Sequence, residues 1–592
     1  MDLAAQLRLL EAAQGDPAKL ALASVDLAYP ALSEPERAAL KEALEAAAIP
    51  HWCDEAILAA LLEVPHEESS SRLARLRGLR VVETFPARGE GAINVHEASR
   101  LALRKRMAAE EGARFRALSG RAAALFEPDA TPAGRIEWIY HLLCAEPERG
   151  ADDLERLGRE WSSTAYPENE CALAGALWEL EEQELVRGRA LLWAILVRAE
   201  IRAGRGEEAQ LEGLAHRALE LSTTHADPSA EAEALLLLGH VLEATGQLHA
   251  AQAALGKCLA VRSILVGEDP ANAGWLRELA VAHSRVGDVL QAQGKLADAQ
   301  SAFSEDLSIS RRLVEQDPTN AGWQRDLLVA HSRVGEVLQA QGRLAEALTV
   351  FSECLSISRR LVEADPTNAG WQRDLAVSHS RVGGVLRAQG RLVEAQAAFL
   401  AYLAGCRWLA AQDPTNAGLL RELAVAHGHV GVVLRVQGNL REAAAAVGES
   451  LAIWLRLVEQ DPANAGWLQD LAVAHSRVGE VLQAQGQLAE AQSAFEEYLS
   501  ISRRLVEQDP TNSSWQRELA AAALWLGQLA LSRSKPAEAL PYFEEALETY
   551  RGLVQAAPDY SEWAKECESA TVGLEACRAL LEELSGSPSS GP

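Results

Sequence analysis

Five histidines recur at one interval of 48 residues: His283, His331, His379, His427 and His475. Serine follows each of them except His427. Such a ladder invites two chemistries, metal binding and nucleophilic catalysis by a neighbouring hydroxyl. Neither fits the spacing. Equivalent residues of stacked helical hairpins lie on the order of 8–10 Å apart, whereas one zinc ion needs its ligand atoms at about 2 Å. Adjacent residues of a helix point about 100° apart, so a Ser-His pair of this kind cannot share a proton. The histidines are expected to pack between helices. The cysteines at 53, 144, 171, 258, 354, 406, 567 and 577 include no Cys-x-x-Cys pair and have no histidine at zinc-ligand spacing. They read as buried free thiols, suited to a reducing compartment. There is no G-x-S-x-G and no G-x-x-x-x-G-K-[ST], and Gly89-Glu90-Gly91 is too short to cradle a phosphate. The expectation is no catalytic residue, no cofactor and no metal.

The elements that would position these groups follow from composition. The chain has 592 residues, too many for one core, so several domains or a repeat array are expected. Ala and Leu dominate while β-branched and aromatic residues are sparse, a balance that favours helix. The net charge of -28 makes nucleic acid and anionic membranes poor default partners. The first residues lack a basic, then apolar, leader, and no run of about 18 apolar residues stands out, so a cytoplasmic location is expected.

Self-similarity is the dominant signal. Prolines fall at 270, 318, 366, 414, 462, 510 and 558, and Trp275, Trp323, Trp371, Trp467, Trp515 and Trp563 keep the same 48-residue step, with Leu419 in the missing slot. The segment HSRVGEVLQAQG stands unchanged at 331–342 and 475–486. In the unit 317–365, Pro318 stops one helix and Asn320 is placed to cap the next. Leu327, Ala330, Val334, Val337 and Leu338 form the stripe of a first helix ending at Gly342, and Ala347, Phe351, Leu355, Ile357 and Leu361 that of a second. One such hairpin cannot bury both stripes, so hairpins must stack. The tryptophans are expected in the core of that stack.

These residues resemble the tetratricopeptide repeat. The small residue inside the first helix is Gly287, Gly335, Gly383, Gly431, Gly479 or Gly527, and the turn residue is Gly294, Gly342, Gly390, Gly438, Gly486 or Ser534. The second helix carries Ala299, Ala347, Ala395, Ala443 and Ala491, followed by Phe303, Phe351, Phe399, Phe495 and Phe543, with Val447 as the exception. The resemblance covers residues 189–584 and implies an all-α, tetratricopeptide-like solenoid that binds another protein or a peptide segment. Residues 189–270 read as degenerate hairpins turning at Gly204 and Gly246, 271–558 as six full units, 559–584 as a polar capping helix, and 585–592 as a disordered tail.

The N-terminal part does not repeat. After a helical segment at 1–33, helices are expected at 34–48, 54–63 and 67–78, then a hairpin of LRVVETF and INVHE around a glycine-rich turn, then a long helix at 97–126. Three helices and a hairpin make a winged helix over 34–126, with helical linker hairpins at 127–188. Leu76, Leu79, Val81, Val82 and the run Asn94-Val95-His96-Glu97 resemble the winged-helix region of bacterial STAND ATPases, although the ATPase core has no counterpart. The resemblance implies signalling or defence beside an effector on another chain, such as an ATPase or a caspase-like peptidase. In the absence of a nucleotide site, His96 is expected to make a structural hydrogen bond.

Two readings of function follow. In the first, a non-catalytic adaptor binds its partner along the first helices of the repeats. Most units repeat a polar, acidic set there, such as Ser332, Glu336 and Gln339. Two neighbouring units break it with Gly384, Arg387, Gly428, His429, Val432 and Arg435, which become the candidate partner-binding residues for an acidic-apolar segment. The alternative is a DNA-binding regulator whose third helix carries Arg72, Arg75, Arg77 and Arg80 to phosphates.

Overall fold

Each repeat opens on the same cap. The side-chain oxygens of Asn272, Asn320, Asn368, Asn416, Asn464 and Asn512 accept from the amide three residues on, at 3.1–3.2 Å. This satisfies a donor that the first helical turn leaves free. Each hairpin then turns on Gly294, Gly342, Gly390, Gly438 or Gly486, whose φ of 74–82° lies in the left-handed region that glycine enters without penalty. Ser534 holds the same conformation in the last unit, with φ 56°.

The computed structural model describes residues 11–164, 167–203, 210–556 and 561–586, and is 83% helical. It divides into two compact units, residues 1–302 and 303–592. In the first, α1 (Pro17–Ala28), α2 (Glu34–Ala47), α3 (Glu55–Leu62) and α4 (His66–Leu76) precede strands β1 (Val82–Thr84) and β2 (Ile93–Val95). The strands pair antiparallel, with Glu83 opposite Asn94, and Cys53 bridges to Ile93 from the loop ahead of α3. Then come α5 (Glu97–Glu110), α6 (Gly112–Phe126), α7 (Pro132–Ala145), α8 (Pro147–Thr164), α9 (Pro167–Glu182), α10 (Gly188–Ala203), α11 (Leu211–His225), α12 (Pro228–Ala244), α13 (Leu248–Glu268) and α14 (Ala273–Ala292). One continuous core runs from α1 to α12, including Leu44, Leu58, Leu73, Ile93, Phe115, Ile139 and Trp193.

The division between units falls in α15 (Leu296–Gln316). The second unit continues with α16 (Ala321–Ala340), α17 (Leu344–Ala364), α18 (Ala369–Ala388), α19 (Leu392–Gln412), α20 (Ala417–Val436), α21 (Leu440–Gln460), α22 (Ala465–Ala484), α23 (Leu488–Gln508), α24 (Ser513–Ser532), α25 (Pro536–Ala556) and α26 (Ser561–Gly586). Within each hairpin the helices touch where the first has no side chain. A Cβ on Gly335 would lie 2.6 Å from the Phe351 ring, and one on Gly479 2.6 Å from Phe495. At Gly431 the partner is Val447, 2.5 Å away. The glycine and aromatic columns of the sequence are thus the two halves of one contact.

Several expectations change. The helix expected at 97–126 is two helices, broken at Glu111 (φ -130°, ψ 43°). The break lets Arg114 bridge Glu111 and the buried Glu45, each at 2.7 Å. Trp275, Trp323, Trp371, Trp467 and Trp515 are half-buried rather than in the core, because each sits on the first turn at the open end of its hairpin. Trp515 donates its ring N–H to Gln469 at 3.2 Å. Cys171 is exposed, not buried, and Cys567 is half-buried. Ser585 and Gly586 extend α26, and the rest of the expected tail, like the Gly204 turn, lies outside the described residues. Two helices, Leu248–Glu268 and Ala417–Val436, do reach a mean hydropathy of 1.2 over 18 residues. Both sit in the regular series of hairpins, with Leu255 and Val433 buried.

Candidate functional site

Charged side chains on the first helices of successive units form rungs across the stack. Arg325 meets Asp374 at 2.7 Å, Arg373 meets Glu422, and Arg421 meets Asp470 at 3.1 Å. A parallel set lies two turns or more further along the same helices. Arg381 reaches back to Glu336 at 2.8 Å, and Arg435 reaches forward to Glu480 at 2.6 Å. Both acids belong to the column that reads Glu336, Gly384, Val432 and Glu480 at 48-residue steps. Where that column loses its carboxylate, the rungs cannot form. By position, Arg387 should reach forward to residue 432 and Arg477 back to it, and residue 432 is valine.

The consequence is visible in both arginines. Neither Arg387 nor Arg477 has a carboxylate within 4.0 Å among the described residues. Arg387 is exposed, while Arg477 is half-buried with its guanidinium lying over Gly428, where a Cβ would collide with it. His429 takes the place that arginine holds in other units and stacks on Phe399, with centroids 4.9 Å apart and planes 6° apart. Burial first, then the charges of Arg477 and Arg387, push its imidazole down to about 4, so it is neutral at pH 7. Its Nδ1 is buried without a hydrogen-bond partner. Burial also lowers Arg477, with Arg387 adding to the effect, while Glu480 and Asp470, both beyond ion-pair distance, pull the other way.

Each candidate residue from the sequence now has a place. Gly384 and Val432 are the two missing acids. Gly428 makes room for Arg477, and His429 belongs to an aromatic stack rather than to an open surface. Arg435, expected to pair with a partner's carboxylate, is already paired with Glu480. The cation left over is Arg477, which sequence reading missed because the same residue is paired or solvated in neighbouring units. A comparison of its column with the acid column of the preceding unit carries that signal.

The other candidates are also placed. The histidine ladder does not converge: His331 and His427 are buried, His283, His379 and His475 half-buried. No three His, Cys, Asp or Glu side chains are placed to hold one metal ion among the described residues. His96 is exposed, and its backbone amide rather than its ring makes the bond, donating to Val81 at 2.9 Å. Arg72 pairs with Glu68 at 2.5 Å, and Arg77, past the end of α4, donates to the Gly91 carbonyl at 2.5 Å. Among the described residues, Arg75 and Arg80 carry no such ties.

A buried ionic network in the first unit had no sequence signature. Arg104 donates to the Ala48 carbonyl and the Tyr140 hydroxyl, both at 2.8 Å, and pairs with Glu179. His51 faces Glu137 at 2.5 Å and Glu179 at 3.7 Å. Against the cost of burial, His51 and its other partners hold Glu137 and Glu179 well below the usual carboxylate range, and the same carboxylates raise His51. These groups come from the loop after α2, from α5, α7 and α9, so they tie the hairpin region to the helices that follow.

Comparison with known proteins agrees with this architecture. Tetratricopeptide repeat family models match residues 232–263 and 332–368. A comparison with curated proteins returns no match. Among solved structures, a signal transduction ATPase (STAND) with a tetratricopeptide repeat sensor from Pyrococcus horikoshii superposes with a TM-score of 0.51 at 13% identity, covering 85% of this chain and 71% of that one. The apo form of RapI gives a TM-score of 0.48 at 13% identity over 68% of this chain and 98% of its own. The quorum sensor NprR of B. thuringiensis gives 0.44 at 13% over 67% and 99%. The chain therefore carries tetratricopeptide repeats in an all-α solenoid of that type.

Proposed function

We propose that this chain is a non-catalytic interaction scaffold whose repeats hold an acidic segment of a partner protein across Arg387 and Arg477. One observation carries the reading: in a stack where the equivalent arginines pair between units, a valine in the acid slot at residue 432 leaves both of these cations without an ion pair there. In a chain of net charge -28, a local cationic gap selects carboxylates. Val432, half-buried between the two arginines, would meet an apolar side chain of the same segment. The test uses fluorescein-labelled peptides of alternating Glu and Leu, with Lys/Leu peptides as controls, and fluorescence anisotropy on the full chain. Val432→Glu restores the missing acid and should weaken Glu/Leu binding at least tenfold, as should Arg387→Glu with Arg477→Glu. Equal affinity for the two peptide series, or unchanged affinity in both variants, refutes the site.

The first unit favours a second element of the reading. Helices α2, α3 and α4, the β1–β2 hairpin and the Cys53–Ile93 bridge have the order of a winged helix, and we propose that residues 34–126 are one. With it goes the signalling or defence setting, cytoplasmic and beside an effector on another chain, which rests on the STAND resemblance of residues 34–163. As a DNA-binding surface it would depend on Arg75 and Arg80, since Arg72 and Arg77 are tied internally. Gel shifts of the full chain at two salt concentrations separate the readings, because phosphate contacts lose affinity steeply with salt.

A further inference from the structure

The first unit holds a cavity of about 530 Å3 between α8, α9, α10, α12 and α14. Trp161, Leu173, Leu196, Val197 and Leu237 give it apolar walls. Glu200, on α10, lines it as well. Close by lies a cluster of ion pairs. Arg159 pairs with Glu155 at 2.6 Å and with Glu278. Arg262, only 2% exposed, pairs with Glu233 at 2.7 Å and with Glu278. Two arginines are thus already shared among three carboxylates, and Glu200 adds a fourth. It makes no hydrogen bond or ion pair among the described residues. Of the other titratable groups on the cavity wall, Arg285 leans toward Asp288 at 3.7 Å, Glu170 adds negative charge, and His240 on α12 faces the same space.

We propose that this cavity binds an organic cation, an ammonium or guanidinium head on an apolar body, with Glu200 as its counter-ion. The volume falls within the roughly 300–1,000 Å3 of small-ligand sites, which pair apolar walls with a few placed polar groups. The site is separate from the repeat groove and independent of its role. An anion is disfavoured because both cluster arginines are already matched. A cation supplies what the cluster lacks, since Glu200 is an exposed residue along the cavity wall with the like charges of Glu233 and Glu278 near it. The surrounding protein, and then those charges, raise its carboxyl far above the usual range, to about 8, although Arg159 and Arg262 pull the other way. Bound cation would draw the proton off Glu200, so binding near pH 7 releases protons.

Isothermal titration calorimetry of the full chain tests this with 4-phenylbutylamine and its neutral analogue 4-phenylbutanol. The amine should bind at least tenfold tighter, with a heat that differs between phosphate and Tris buffers because protons are released. Glu200→Gln should remove both the preference and the buffer dependence. Val281→Trp, at a lining position 40% exposed, should block binding without touching the core. A second arm uses acetyl-Leu-Arg-Leu-amide; tighter binding by the peptide or by the amine, dependent on Glu200, identifies a peptide side chain or a free amine as the source. Absence of binding by both, equal affinity for amine and alcohol, or an unchanged Glu200→Gln variant overturns the proposal.

Discussion

Gly479→Ala and Gly448→Ala make the same chemical change in helix interiors of successive repeats and should move stability in opposite directions. Ala exceeds Gly in helix propensity by about 1 kcal/mol. At Gly448 on α21 nothing lies within 4 Å of the added Cβ and the site is exposed, so the gain should appear in full. At Gly479 the new atom would sit 2.6 Å from one atom of the Phe495 ring and 2.8 Å from two others. Phe495 is fully buried, so the ring cannot swing aside into solvent. Overpacking of this kind costs about 1–3 kcal/mol. The net should be a loss of up to about 2 kcal/mol against a gain of about 1 kcal/mol at Gly448. Urea midpoints followed by circular dichroism compare the two directly. If Gly479→Ala stabilises as much as Gly448→Ala, the close glycine–aromatic contact is not what joins the two helices of the hairpin.

Three further outcomes follow from the same coordinates. Ser534→Gly should raise stability by about 1 kcal/mol, the penalty of a left-handed non-glycine residue, and an unchanged melting temperature would refute the strain. Trp371→Ala should cost about 1–2 kcal/mol, less than the 3–5 of a core aromatic, because the ring is half-buried; a loss above 4 in urea would place it in the core. His429 has its pKa lowered to about 4 in the fold. The unfolded chain therefore binds more protons below about 6.5, and stability falls as pH drops through that window. His429→Phe, which keeps the stack on Phe399, should recover on the order of 1–2 kcal/mol at pH 5 and nothing at pH 8, whereas an equal shift at both would show that His429 does not titrate with folding.

The fold was legible because each unit writes its own punctuation. Pro318, Asn320, Gly342 and the Gly335–Phe351 pair are local signals, and repetition at 48 residues removes the ambiguity of any single one. The groove was legible only in part. A break in the pattern at Gly384 and Val432 can be seen in one dimension, but the arginine that it strands depends on the rise from one helix to the next. That rise joins Arg435 to Glu480 in the following unit and removes it from the site, while Arg477 enters from a unit whose own sequence is ordinary. The His51–Arg104–Glu137–Glu179 network and the cavity at Glu200 were not legible at all. They join residues up to 128 and 127 positions apart, from His51 to Glu179 and from Gly158 to Arg285, with no repeat to align them.

A near-copied stack also changes what a substitution means. In an ordinary core the loss of Glu at one surface position costs little, because exposed ion pairs contribute about 0–1 kcal/mol. Here the same loss at residue 432 acts on two arginines, one from each side, because residue 432, unlike Glu336 and Glu480 with one arginine each from a neighbouring unit, stands between Arg387 and Arg477. Selection for stability alone would scarcely register it. What changes is the local potential, from a neutral ladder to a pair of unmatched guanidiniums framing an apolar residue, and recognition is sensitive to potential where folding is not. The position best suited to acquire a ligand in such an array is therefore an acid slot between two arginines, and residue 432 is the one that has been emptied with both arginines kept.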